Sequence, residues 1–109
     1  MNIKTQELHH LDAAAQSAAR LLKAMAHPCR LRVLCALAER EYCVGDLQTR
    51  AGLSQSALSQ HLARLRAQGL VTTRRESQTV YYRIHSAEAS AIVAVLARLF
   101  CPSPSSSSN

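Results

Sequence analysis

The sequence predicts a mainly α-helical domain that carries one small β-hairpin, and three observations predict it. Apolar residues recur at helical spacing in five stretches. That period gives way to alternation between Leu70 and His85. Glycine, proline or serine marks most joins between stretches. At 109 residues the chain has room for one modest core, so a single function is expected.

Residues 1–11 are polar and weakly periodic, and are expected to be a flexible N-terminus. Asp12 reads as an N-cap, and Ala14, Ala18, Leu21, Leu22 and Met25 form the apolar stripe of a first helix ending near His27. Pro28 opens a second helix, because proline loses no hydrogen bond at the first helical position; Leu31, Leu34, Cys35 and Ala38 are its expected inward side. Glu41–Cys43 reads as a short strand or turn. Val44–Ala51 then forms a third helix closed by Gly52. Ser54 caps a fourth, with Leu58, Leu62 and Leu65 inward and Gly69 at its end.

Leu70–Arg75 and Thr79–His85 are rich in valine, threonine and tyrosine, and Glu76, Ser77 and Gln78 join them as a polar tip. Ser86 caps a last helix whose Ala89, Ile92, Val93, Leu96 and Phe100 call for an apolar partner. Pro102 stops it. Residues 12–101 are thus the expected folded domain, and the serine- and proline-rich residues 102–109 a disordered tail. The whole reads as a winged helix-turn-helix, α-α-α-α-β-β-α, with a short extra strand allowed before the third helix.

The chain carries 13 lysines and arginines against 7 acids, a formal charge of +6, which suits a polyanionic partner. Placement sharpens this. Between residues 47 and 85 the arginines are 50, 64, 66, 74, 75 and 83, and the only acid is Glu76. With Leu58, Leu62 and Leu65 inward, at about 100° per residue, Ser56 and Gln60 point outward and Gln55, Ser59 and Arg64 flank them. Hydroxyl and amide groups there can hydrogen-bond base edges. Ser54, Gln55, Ser56, Ser59, Gln60, His61 and Arg64, with Arg74, Arg75, Gln78 and Thr79 on the hairpin, are the candidate DNA-contacting residues. Arg50 is expected merely to face solvent. A solvated amphipathic helix is the plainer reading of the same residues, and the arginine excess argues against it.

Leu22-Lys23-Ala24-Met25-Ala26-His27-Pro28, the run from Gly52 to Leu62, and Gly69-Leu70-Val71 leading into Tyr81-Tyr82 resemble the ArsR/SmtB family of winged-helix repressors over residues 13–101. Within it the likeness is to the persulfide- and redox-responsive regulators of BigR, SqrR and HlyU type. The resemblance implies a homodimer joined through the first and last helices, a palindromic double-stranded operator with half-sites about one DNA turn apart, and release by an inducer.

No run of about 18 apolar residues and no secretory signal is present, so no membrane partner and a cytoplasmic location are expected. The four cysteines then meet a reducing compartment, where they serve as core residues, ligands or sensors. Where metal-sensing relatives carry two cysteines, this chain reads Cys43-Val44-Gly45-Asp46, and its last helix offers only Glu88 as a ligand; no metal and no cofactor are expected. Cys29 and Cys35 lie about 240° apart around a helix and cannot share an ion. His9 and His10 keep a metal-responsive alternative open. Cys43 and Cys101 match the two sensing cysteines of the persulfide-responsive relatives, which implies a dithiol answering reactive sulfur or an oxidant. Cys43 also lies beside a helix N-terminus, which favours a thiolate.

Two plainer readings stand beside this one. Cysteine often serves as a small core hydrophobe, which suits Cys35 best; yet HlyU-like proteins have a cysteine at the Leu34-Cys35 position and, unlike this chain, a serine in place of Cys43, so the resemblance leaves Cys35 as an outside candidate partner for Cys101. Cys29 carries no assigned role. The chain is expected not to be an enzyme: a small thiol oxidoreductase would need a Cys-x-x-Cys or a βαβ pattern, and neither occurs. An RNA-binding or protein-binding winged helix would use the same fold.

Overall fold

The computed structural model describes residues 5–101. Five helices and a three-stranded sheet follow in the order α1 (Thr5–Met25), α2 (Pro28–Glu39), β1 (Tyr42–Cys43), α3 (Val44–Ala51), α4 (Gln55–Ala67), β2 (Val71–Glu76), β3 (Thr79–Ile84) and α5 (Ala87–Phe100). The sheet order is β1-β3-β2, all antiparallel, with Tyr42 opposite Tyr82 and Thr73 opposite Tyr82 on the other side.

Caps and turns explain where the helices break. His27 caps α2 by accepting the Cys29 N–H on Nδ1 at 3.1 Å, with Pro28 behind it. After α3, Gly52 takes the left-handed conformation at φ 68°, and the Gly52 and Leu53 N–H groups return to the Thr49 and Gln48 carbonyls. Gly69, at φ 76°, closes α4 the same way: its N–H reaches the Arg66 carbonyl, and that of Leu70 reaches Leu65. Ser54 and Ser86 cap α4 and α5, accepting from the Ala57 and Ala89 N–H groups at 3.2 and 3.0 Å. The hairpin loop is only Ser77–Gln78, with Ser77 at φ 57°; Glu76, expected in the tip, pairs with Thr79 at the end of the ladder.

The core is built where α2, α3 and α4 cross. Leu34, Leu47, Leu58 and Leu65 are fully buried, joined by Val33, Leu37, Leu62, Leu70, Val71, Ala89 and Val93. Leu58, Leu62 and Leu65 therefore face inward on α4 as their spacing predicts.

Three expectations are corrected. First, α1 begins at Thr5, so residues 5–11 are helical; Asp12 sits inside the helix and accepts from the Gln16 side chain at 3.0 Å instead of capping. Gln6, Glu7, Leu8 and Leu11 are good helix formers, and the alanine-rich stretch that follows lets the helix propagate back through them. Second, Ala14 and Ala18 are exposed and Leu22 is half-exposed; on α1 only Ala24 and Met25 are buried. Third, Ala38 is exposed, whereas Val33, Ala36 and Leu37 are buried. α2 has neighbours on several sides, α3, α4, β3 and α5, so its buried arc is wider and rotated from a single stripe. The expected tail, 102–109, lies outside the described residues.

Candidate nucleic-acid interface and thiol sites

α4 is held by its leucines and by the Schellman-type turns at Gly52 and Gly69, which fixes what its other side presents. Gln55, Ser56, Ser59, Gln60 and Arg64 are all exposed, and the helix contains no acidic residue. Ser54 is exposed too, but one lone pair of its hydroxyl caps the helix and its Oγ lies 3.5 Å from that of Ser56. His61 differs. Its ring is half-buried and lies against His27, with centroids 4.5 Å apart and planes at 48°. Burial, then the neighbouring His27, Arg30 and Arg64, push its pKa down, so it is a neutral packing group at pH 7.

On the hairpin, Arg75, Gln78 and Thr79 are exposed at or beside the loop. Arg74 is tied back: its guanidinium donates to Glu41 at 2.6 Å, lies 3.8 Å from Glu76 and covers the Tyr81 ring at 4.6 Å. Arg50 is also engaged, donating to Glu39 through Nε at 3.0 Å and through Nη2. The same carboxylate accepts from the Tyr42 hydroxyl at 2.8 Å, and these bonds hold Glu39 below the usual carboxylate range. Among the described residues, Arg64, Arg66, Arg75 and Arg83 have no acidic partner. Sequence reasoning missed one feature here: Arg20 and Lys23 of α1, Arg30 of α2 and Arg64 of α4 line one basic concavity. Helical spacing within one element cannot reveal a cluster drawn from three.

All four cysteines are free thiols: Cys29, Cys35 and Cys43 half-buried, Cys101 exposed. Cys43 is the N-cap residue of α3 but makes no side-chain cap bond, and Cys101 is the C-cap of α5. Burial pushes the Cys35 thiol up, and the charges of Cys101 and Glu39 push it further, with Arg50 pulling against them. Cys35 lies on α2, the helix against which α5 packs, and Cys101 caps the C-terminal end of α5.

A capped helix laid across a second one, an outward surface of amides and hydroxyls, and an arginine-edged hairpin define a winged helix-turn-helix protein. Comparison with known proteins agrees. The model for "Bacterial regulatory protein, arsR family" matches residues 27–73. The chain is 51% identical over 94 residues to the transcriptional activator HlyU of Vibrio cholerae, covering 86% of this chain and 87% of that one. It is 46% identical over 97 residues to the regulator YgaV of Escherichia coli, covering 88% and 98%. The solved structure of reduced HlyU from Vibrio cholerae superposes with a TM-score of 0.80 at 50% identity, over 85% of this chain and 98% of that one. That of the repressor BigR from Xylella fastidiosa gives 0.79 at 40%, over 85% and 92%. The chain belongs to the arsR family of bacterial regulatory proteins and is a DNA-binding transcriptional regulator, not an enzyme. Among the described residues no helix is long and apolar enough to cross a membrane.

Proposed function

We propose that the chain is a cytoplasmic homodimeric repressor that grips a palindromic duplex through two copies of α4 and lets go when Cys101 is oxidised or meets a reactive sulfur species. The observation that carries the DNA reading is the outer surface of α4, where Gln55, Ser56, Ser59 and Gln60 stand exposed on an acid-free helix. Amide side chains can bond adenine edges bidentately, and serine suits any base. Arg64, Arg75, Gln78 and Thr79 supply phosphate contacts around it, and Ser54 offers its remaining hydroxyl donor. Arg74 and His61 act one step back, Arg74 by bracing the hairpin and His61 by packing α4. HlyU is named an activator and the Xylella fastidiosa relative a repressor. Repression is the direction that release by an inducer requires.

For the switch, the family resemblance pairs Cys101 with Cys43. A second reading pairs it with Cys35, the position where HlyU-like proteins also carry a cysteine, and the packing of α5 on α2 supports it. In either case two thiols give two electrons and two protons to hydrogen peroxide, which leaves as two waters, and a disulfide forms; with a sulfane-sulfur donor instead, two thiols take up two sulfur atoms, a trisulfide forms, and the two electrons and two protons leave on the second sulfur as hydrogen sulfide. Tethering α5 shifts the spacing of the two reading helices.

The test is binding of the reduced protein to promoter duplexes from its own genome at several salt concentrations, before and after oxidation. Gln60→Ala should lower affinity without unfolding, and Cys101→Ser should hold DNA through oxidation. Peptide mapping then shows whether Cys35 or Cys43 is linked. A folded, reduced protein that ignores every duplex even at low salt would overturn the DNA reading.

A further inference from the structure

We infer that His27, Cys29 and His61 form a three-ligand site for a zinc-class divalent ion, pinning the reading helix α4 to the start of α2. One ligand atom from each of these half-buried residues lies within 4.8 Å of the other two. Ligands around tetrahedral zinc stand about 3.3–3.6 Å apart, given bonds of about 2.0–2.3 Å. Closing the set therefore asks for side-chain shifts of about 1 Å and no backbone change. The backbone has already placed the donors: His27 and Cys29 flank Pro28 at the first turn of α2, and the rigid α4 brings the His61 ring against His27.

The donor set decides the class of metal. Two imidazoles and a thiolate suit borderline ions such as Zn(II) and Co(II), whereas Mg(II) and Ca(II) require oxygen. Three protein ligands leave a fourth position to water, as in an open zinc site. Two features moderate affinity. Arg30 and Arg64 share the concavity that His27 and His61 line, and their charge opposes a cation. Arg32 approaches Cys29 Sγ through Nη2 at 3.7 Å, an interaction that the ion would replace. One thiolate charge offsets only part of this.

Binding has a structural consequence, because His27 is already in use. Its Nδ1 accepts the Cys29 N–H at 3.1 Å, so the neutral ring carries its proton on Nε2. An ion on Nδ1 displaces that N–H. An ion on Nε2 drives the proton to Nδ1, which then cannot accept. By either route, metal uncaps α2 at its first turn, in a site made by none of Cys35, Cys43 and Cys101.

The experiment is a Co(II) titration of the reduced protein, followed by absorption and by NMR of backbone amides. A thiolate-to-cobalt charge-transfer band at one equivalent per chain is expected, together with a shift and faster exchange of the Cys29 amide. The band should survive in a folded variant whose Cys35, Cys43 and Cys101 are serine, and vanish in Cys29→Ser. His61→Gln should weaken binding by about ten-fold or more. If the triple-serine variant does not fold, Cys29→Ser alone decides, read against circular dichroism. A band unchanged in Cys29→Ser, or no thiolate band in the reduced protein, overturns the site; an undisturbed Cys29 amide in the cobalt form removes His27 and overturns it as a three-ligand centre.

Discussion

Arg50 and Arg74 carry the same charge as Arg64 and Arg75, yet they are committed within the chain, to Glu39 and to Glu41 with Glu76. Arg64→Ala and Arg75→Ala should therefore weaken binding evenly across duplex sequences and flatten its salt dependence, by about one unit of slope for each phosphate no longer neutralised. Arg50→Ala should leave both nearly unchanged; an equal effect at Arg50 would undo this division. The thiols divide in the same manner. The Cys35 pKa is raised above the ordinary thiol value, by burial and then by the Cys101 charge. Since only the thiolate alkylates, the reaction of Cys35 with iodoacetamide should rise with pH above that value, and Cys101→Ser should move its profile to lower pH. Mass-resolved alkylation rates report this directly, and a Cys35 profile indifferent to Cys101 would show that the two are not coupled.

The α3-turn-α4 unit fixes where every outward side chain of α4 points. Leu58 is fully buried beneath it, so Leu58→Ala should cost about 2–5 kcal/mol, measured by denaturant titration. Gly52 meets no atom within 4 Å of an added Cβ, so Gly52→Ala should cost only the left-handed backbone penalty, about 1–2 kcal/mol. A much larger loss would mean that the turn is crowded as well. These joints were legible in the sequence because their chemistry is local: Pro28, Gly52, Ser54, Gly69 and Ser86 each stand where a cap or turn needs them. The outward set Gln55, Ser56, Ser59 and Gln60 was legible for the same reason, since one helical period fixes it. The start of α1 was not, because Leu8 and Leu11 are the only apolar residues in Thr5–Leu11, too few to set a helical period, and both are exposed. Nor were the partners of Arg50 and Arg74, which lie 11 and 33 residues away, or the meeting of His61 with His27. Pairings of that kind belong to the tertiary fold and leave no trace in periodicity.

At the scale of the molecule, the proposed dimer has a surface to form on, because large apolar side chains of α1 and α5 face outward. Leu8, Leu11 and Leu22 of α1 are 49%, 59% and 50% exposed, and Leu99 and Phe100 of α5 are 68% and 75% exposed. The radius of gyration, 16.8 Å, exceeds the value of about 13 Å for a compact domain of this length. A groove lined by Ala14, Ala18 and Leu21 of α1 and by Ala91 and Ile92 of α5 runs between the two helices, so both contribute to one apolar surface. A two-fold dimer would bury it against its own copy, and two-fold symmetry is what a palindromic operator matches. Leu11→Glu combined with Leu99→Glu changes two exposed positions, so the core on Leu34, Leu47, Leu58 and Leu65 should persist and the helical circular dichroism with it. Sedimentation should show the parent chain as a dimer and the double variant as a monomer. The monomer should bind a single half-site weakly and lose the gain that a second half-site gives the parent. A parent chain that sediments as a monomer while holding a palindrome tightly would refute the dimer.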